Sequence, residues 1–274
     1  MLTIGEKHLL KKGEKIRHRS CPKNRQKFAP GQPDTIVIHY TGGRDAETSA
    51  EYLSRDDVKA SAHVVVDRDG GIIQLVAFDT VAWHAGLSEY NGRSGYNNFS
   101  IGIEIDNAGI LSPSGDEFVS WFGKRYPPGE TMKARHRNEQ TERFWHTFTE
   151  AQIETTEKLC EILMQKYHSI TEILGHEEIA VGRKQDPGPA FPLDKLRMRL
   201  IEGRETNEPL PAHVGFVNVN RLNIRTLPTV ESDTVTEPLA YDTKLLLCQK
   251  YQNWYKVKTE IEGWVAADYI RTET

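Results

Sequence analysis

Apolar positions fall in short β-branched runs over the N-terminal half of the chain, and at helical spacing only later. Asp34–Tyr40 (DTIVIHY) predicts a buried strand. Ser61–Asp67 (SAHVVVD) and Gly71–Val76 (GIIQLV) predict two more, joined at Arg68-Asp69-Gly70, where Asp-Gly favours a hairpin turn. Phe99–Asp106 (FSIGIEID) alternates, with Ile101, Ile103 and Ile105 on one face and Gly102, Glu104 and Asp106 on the other. Helical spacing first shows in Ala46–Ser54, where Ala50 and Leu53 share a side. It is clearest from Thr149 to His168, where Ile153, Leu159, Cys160, Leu163, Met164 and Tyr167 form one stripe. Thr149 and Gln152 supply a capping-box pattern at its start. A further helix fits Leu193–Glu202, with Leu196, Leu200 and Ile201 inward and Gly203 as its stop.

This alternation of strands and helices predicts an α/β fold, a mixed central sheet flanked by helices, over residues 34–203. Residues 1–33 are basic, end in a Pro/Gly-rich loop and read as an N-terminal extension. Residues 110–148 mix aromatics with cations and show no clear period, so they read as an insertion, with His136 and His146 as surface or packing residues. Residues 204–212 are polar with Pro209 and Pro211, a linker. Beyond it the pattern turns to short β segments, Gly215–Val219, Leu222–Arg225, Lys244–Lys250, Trp254–Thr259 and Gly263–Val265, which predict a separate small β-barrel over 213–274.

Composition narrows the function classes. Lys+Arg 35 against Asp+Glu 39 leaves a net charge of -4, so no global basic field argues for nucleic acid. No apolar run reaches the ~20 residues of a membrane span. The start is too polar for a secretory signal, whose apolar stretch needs roughly 7–15 residues. Cys21, Cys160 and Cys248 are scattered without CxxC spacing, so they read as free thiols and a cysteine-based metal site is disfavoured. A monomer in the cytoplasm, or one released to the cell wall by a non-signal route, is the expected setting.

The candidate chemistry gathers in Gly175–Pro192 (GHEEIAVGRKQDPGPAFP), where a loop rich in glycine and proline carries His176, Lys184 and Asp186. That is half of a metal site. His39, at a strand end before Thr41-Gly42-Gly43, is either the missing ligand or a core histidine with a satisfied hydrogen bond. Glu104 is either a solvated glutamate at a sheet edge or a carboxylate projecting into a cleft. His63 reads as packing or outer-layer support. Trp83-His84-Ala85-Gly86 meets no need of turn or core, which points to a substrate-facing role for Trp83 and His84, with Asn98 at the end of the following polar loop.

VIHYTGG at 37–43, SAHVVVDRDG at 61–70, WHAG at 83–86, NNFSIGIEI at 97–105 and the 175–192 run together resemble the zinc-dependent N-acetylmuramoyl-L-alanine amidases, the type 2 amidase family that shares its fold with peptidoglycan recognition proteins. The segment from NVNRLNIRTLP to GWVAADYI resembles bacterial SH3 domains. The first resemblance implies zinc held by His39, His176 and Asp186, Glu104 as general acid/base, and Lys184 beside the oxyanion. It also implies peptidoglycan or a muropeptide as substrate, cut between N-acetylmuramic acid and L-alanine. Its alternative is a non-catalytic peptidoglycan-binding recognition protein, which would be expected to lack one of the ligands. The N-terminal extension and the 110–148 insertion find no match in the family.

Overall fold

The computed structural model describes residues 2–11, 13–202, 213–226, 230, 232–251 and 254–259. Two compact units divide the chain, Met1–Ile201 and Glu202–Thr274. Among the described residues, no helix is long and apolar enough to cross a membrane.

The first unit is built on a six-stranded sheet. In chain order its strands are β1 (Ile16–His18), β2 (Thr35–Tyr40), β3 (Val64–Val66), β4 (Ile72–Gln74), β5 (Ser100–Ile105) and β6 (Glu172–Gly175). Their spatial order is β1-β4-β3-β5-β2-β6. Only the β3–β4 hairpin is antiparallel; the remaining neighbours run parallel. Both faces of such a sheet are covered, which is why its strands read as near-continuous β-branched runs.

One face carries Ile36, Ile38, Ile101, Ile103, Ile105 and Ile173, packed against Leu159, Cys160, Leu163 and Met164 of α2 (Glu150–Lys166). The predicted stripe is therefore the buried one, and the Thr149–Gln152 capping box closes both of its hydrogen bonds. On the other face lie Val37 and Leu174, covered by Ala85, Tyr96, Phe99 and Ile179, and Val65, covered by Ala46 and Ala50 of α1 (Ala46–Ser54). Cys21 and Cys160 are buried free thiols.

Two segments are more ordered than their sequence implied. Residues 16–18 add an edge strand, and the chain beside it is pinned by side chains: Arg17 and Arg19 pair with Glu47, and Lys23 Nζ donates to the carbonyls of Arg55, Val58 and Ala60. Residues 110–148 contain a five-stranded antiparallel sheet. Its longer strands, Ile110–Ser114, Thr131–Arg135 and Glu142–His146, pair through a β-ladder whose alternation is hidden by charged residues on the exposed side. Its core is small, Leu111 and Tyr126 with Phe118 and Phe144 beside them. His136 and His146 are buried, so of the two places the sequence left open for them the interior is the one they occupy.

Leu193–Arg197 is α-helical and Met198–Glu202 continues with wider turns. In the second unit the described strands His213–Phe216, Lys244–Tyr251 and Trp254–Lys258 form a three-stranded antiparallel sheet, and Arg221–Leu222 pairs with Leu239–Ala240. The expected Gly263–Val265 strand lies outside the described residues.

Candidate metal centre

Parallel pairing decides which side chains meet. In the β2–β5 register His39 stands beside Glu104, and Val37 stands beside Gly102. In the β2–β6 register Gly175 stands beside Ile38, which brings His176 to the same carboxyl end of the sheet one residue later. Ligands of open α/β sheets bind at that end. The chain then turns through the short helix His176–Ile179 and returns at Asp186, held by the Glu177 N–H donating to the Asp186 carbonyl at 2.8 Å.

The result is a buried triangle of donor atoms. His39 Nδ1 lies 2.9 Å from His176 Nδ1 and 3.0 Å from Asp186 Oδ2, and His176 Nδ1 lies 2.9 Å from that same oxygen. All three residues are buried, and their donor atoms fall within 4.8 Å of one another. Three donors set tetrahedrally around an ion at about 2.0–2.2 Å stand roughly 3.3 Å apart. Opening the triangle by a few tenths of an ångström therefore accommodates a divalent ion, and two imidazoles with a carboxylate form a donor set typical of an open, catalytic site.

The electrostatics are those of a site that binds a cation. Burial pushes the Asp186 carboxyl up, but hydrogen bonds from His176 and His39 and their charge outweigh it and hold the group far below the usual carboxylate range. His39 is lowered to about 4, first by burial and then by the charge of His176, so it is a neutral lone-pair donor at pH 7. Glu104 is partly exposed as a residue, yet its Oε2 is buried with no hydrogen-bond partner. Burial and the nearby Asp186 charge raise its pKa well above the usual value, opposed by the Lys184 ammonium. The same Lys184 charge acts on His39.

The site's supports come largely from residues that motif reading passed over. His176 Nε2 faces the Ala85 carbonyl at 3.1 Å, and Arg183 donates to that carbonyl at 2.8 Å and to Leu87 O at 2.5 Å. Asn97 Oδ1 accepts from the Ala85 N–H at 2.7 Å. The loop after His176 is tied to the insertion: Glu177 Oε2 accepts from His136 Nε2 at 2.6 Å and from the Gly188 N–H at 3.1 Å, while Arg137 Nε lies 3.0 Å from Glu177 Oε1. Sequence spacing held no signal for this clamp, since His136, just past the strand Thr131–Arg135, and Glu177, in the short helix after β6, are far apart in the chain.

Of the residues expected on the substrate side, Trp83 is 39% exposed. His84 is instead turned inward, buried, with Nδ1 at 2.9 Å from His39 Nε2. Asn98 is exposed and contacts only its local turn, donating to Gly95 O at 3.3 Å. An aromatic that was not singled out for the site, Trp121, is 80% exposed and donates its indole N–H to Gly42 O at 2.8 Å, just past the His39 strand.

Buried histidines also set an acid limit. Burial lowers His39 and His63 to about 4 and His146 to about 3, and takes His84 well below its usual value. The unfolded chain titrates these groups near ~6.5, so between about 4 and 6.5 it binds more protons than the fold does. The stability they contribute is present above that window and lost as pH falls through it. Glu104 and Glu172, raised first by burial, and Asp106, pushed up to about 6 by burial and the Asp67 charge, act in the opposite sense, but they are three groups against four. The denaturant midpoint of the chelator-treated protein is expected to drop between pH 7.5 and pH 5; an unchanged or higher midpoint at pH 5 contradicts this.

Comparison with known proteins gives a consistent result. Residues 29–189 match the family described as N-acetylmuramoyl-L-alanine amidase. The 1,6-anhydro-N-acetylmuramyl-L-alanine amidase AmpD of Escherichia coli K12 is 32% identical over 168 residues, which cover 61% of this chain and 72% of that protein. The N-acetylmuramoyl-L-alanine amidase AmiD of the same strain is 33% identical over 174 residues, 61% of this chain and 52% of its own length. The crystal structure of a selenomethionine AmpD derivative superposes with a TM-score of 0.50 at 27% identity, covering 73% of this chain and 99% of that one.

Proposed function

From the premise that this chain belongs to the N-acetylmuramoyl-L-alanine amidase family and is an amidase of that kind, we propose that it is a zinc enzyme whose substrate is a soluble 1,6-anhydro-N-acetylmuramyl peptide. The observation that carries the reading is the buried triangle of His39, His176 and Asp186 beside an unpartnered Glu104 carboxylate. The substrate follows the relative AmpD, whose name specifies the 1,6-anhydro sugar.

In this reading His39 Nδ1, His176 Nδ1 and Asp186 Oδ2 hold zinc. A bound zinc supplies Lewis acidity and lowers the pKa of water to about 7. Glu104 accepts the proton of the attacking water and returns it to the alanine nitrogen as the amide C–N bond breaks, leaving a lactyl carboxylate and a free peptide amine. Burial raises its pKa above the ordinary carboxylate range, the direction that favours return of the proton. Lys184 places positive charge beside the oxygen that becomes negative in the tetrahedral intermediate. Trp83 and Trp121 are assigned to the walls that meet the sugar or the peptide. The C-terminal unit is assigned the SH3-like barrel, a reading supported by its L-N-I-R opening and antiparallel sheet.

The test compares soluble anhydro-muropeptide with polymeric sacculi at equal peptide content, reading products by mass. Release of free stem peptide from the soluble substrate, with one water gained across the two products, is expected at the higher rate. Faster release from sacculi overturns the substrate assignment. A shift in retention of muropeptide without cleavage overturns the catalytic reading.

A further inference from the structure

We propose that His84 is a positioning residue: it accepts the His39 Nε2 proton and thereby leaves the His39 Nδ1 lone pair facing the metal site. The inference rests on the zinc reading above, and extends it to a buried residue that meets His39 on the nitrogen opposite the donor triangle.

Protons along this row of contacts are fixed from one end. A neutral imidazole has one N–H and one lone pair, on different nitrogens. His39 Nδ1 belongs to the donor triangle, so its proton must sit on Nε2, and a buried N–H needs an acceptor. The atom there is His84 Nδ1, at 2.9 Å. For Nδ1 to accept, His84 must carry its own proton on Nε2. That nitrogen faces two oxygens, Ser100 O at 3.2 Å and Ser100 Oγ at 3.2 Å. A carbonyl only accepts. The Ser100 hydroxyl hydrogen is committed elsewhere, donated to the Tyr96 carbonyl. Both oxygens therefore present lone pairs to His84 Nε2, and only the Nε2–H tautomer satisfies them. The opposite tautomer would set a lone pair against two more at Ser100 and place two N–H groups face to face between His84 and His39. Ser100 thus sets the protonation of His84, and His84 sets that of His39.

An independent observation shows that the fold makes room for this ring. A Cβ at Gly102 would lie 2.3 Å from His84 Cγ and 2.6 Å from His84 Nδ1. Gly102 is on β5, beside Val37 in the register that brings Glu104 next to His39. The histidine ring lies on the strand where a side chain would otherwise be. Its backbone is pinned on both sides: Ser61 Oγ accepts from the Trp83 N–H at 2.8 Å, and Asn97 Oδ1 accepts from the Ala85 N–H. Such a buried, doubly anchored ring is placed for orienting a ligand, since outer hydrogen-bond partners fix the ring and tautomer of ligating histidines.

The test uses the full chain with two substitutions. His84→Asn keeps an acceptor near the Nδ1 position, whereas His84→Phe keeps ring volume and has no acceptor. Zinc affinity is measured by chelator competition, and long-range proton–nitrogen spectra report the tautomers of metal-free wild type. Expected are an Nε2–H tautomer for His84, a loss of about 10–100-fold in zinc affinity for His84→Phe, and a smaller loss for His84→Asn. A His84 that carries its proton on Nδ1 overturns the proposal, as does equal zinc affinity of His84→Phe and wild type, or equal loss in both variants. A wild-type chain that takes up no zinc counts against the metal reading, whereas the tautomer, read on metal-free protein, decides the relay separately.

Discussion

Glu104→Gln is expected to keep the zinc content and melting behaviour of the wild type while lowering turnover by about 10²–10⁴-fold, the usual contribution of a positioned acid/base. The side chain comes from the middle strand of a rigid sheet, beside His39 in register. Its Oε2 is buried without a partner, so the carboxylate makes no internal hydrogen bond that the fold would miss. Glutamine has the same shape, keeps one oxygen and adds no charge. What it removes is the capacity to take and return a proton. Elemental analysis, thermal melting and product release on one preparation separate these effects. Turnover within a few-fold of wild type would show that the proton passes through another group.

The second large effect concerns the metal. Asp186→Ala is expected to lose stoichiometric zinc and with it measurable hydrolysis. Asp186 Oδ2 is the corner of the triangle shared by both histidines, at 3.0 and 2.9 Å. It is also the one anion among the three donors, and its carboxyl is held ionised by His176 and His39 against burial. Removing it leaves two imidazoles and no anionic donor. The affinity lost should exceed the about 10–100-fold typical of outer-layer residues. Zinc retained through gel filtration at one equivalent per chain would exclude Asp186 as a ligand.

Much of the catalytic sheet is written locally. DTIVIHY, SAHVVVD and FSIGIEID are strands because β-branched residues fill both buried faces of a parallel sheet, and the α2 stripe supplies the buried Leu159, Cys160, Leu163 and Met164 with Ile153 and Tyr167 partly buried beside them. The turn at Thr41-Gly42-Gly43 and the bends of Gly175–Pro192 mark the loops that bear His39, His176 and Asp186. That Glu104 and His39 stand side by side is a matter of register, which neither strand states alone. The clamp of Glu177 on His136 and Arg137 was not legible for the same reason: it joins the short helix after β6 to the loop past Arg135 through a long-range contact. Residues 110–148 hid their strands because a sheet with a small core and one charged, exposed face carries too weak an alternation.

For His84 the local signal was real, and the structure places the ring in the interior against His39. Trp-His in a segment with no structural need for it predicted a residue facing substrate. The need exists, but it lies inside the sheet, where Gly102 leaves space for the ring and His39 waits for an acceptor. The basic N-terminal stretch likewise looked unanchored until its cations met Glu47 and the carbonyls of Arg55, Val58 and Ala60. Polar anchoring of that kind leaves no hydrophobic period to read.

On the proposed reading, three side chains from two distant segments of the chain hold a zinc on which amide hydrolysis depends. That dependence is tested most directly by stripping the wild-type protein with a chelator, confirming the absence of metal, and following release of free stem peptide from soluble anhydro-muropeptide before and after one equivalent of zinc is restored. No release from the stripped protein and full recovery on zinc addition are expected. Equal release from metal-free and zinc-loaded protein would contradict that dependence.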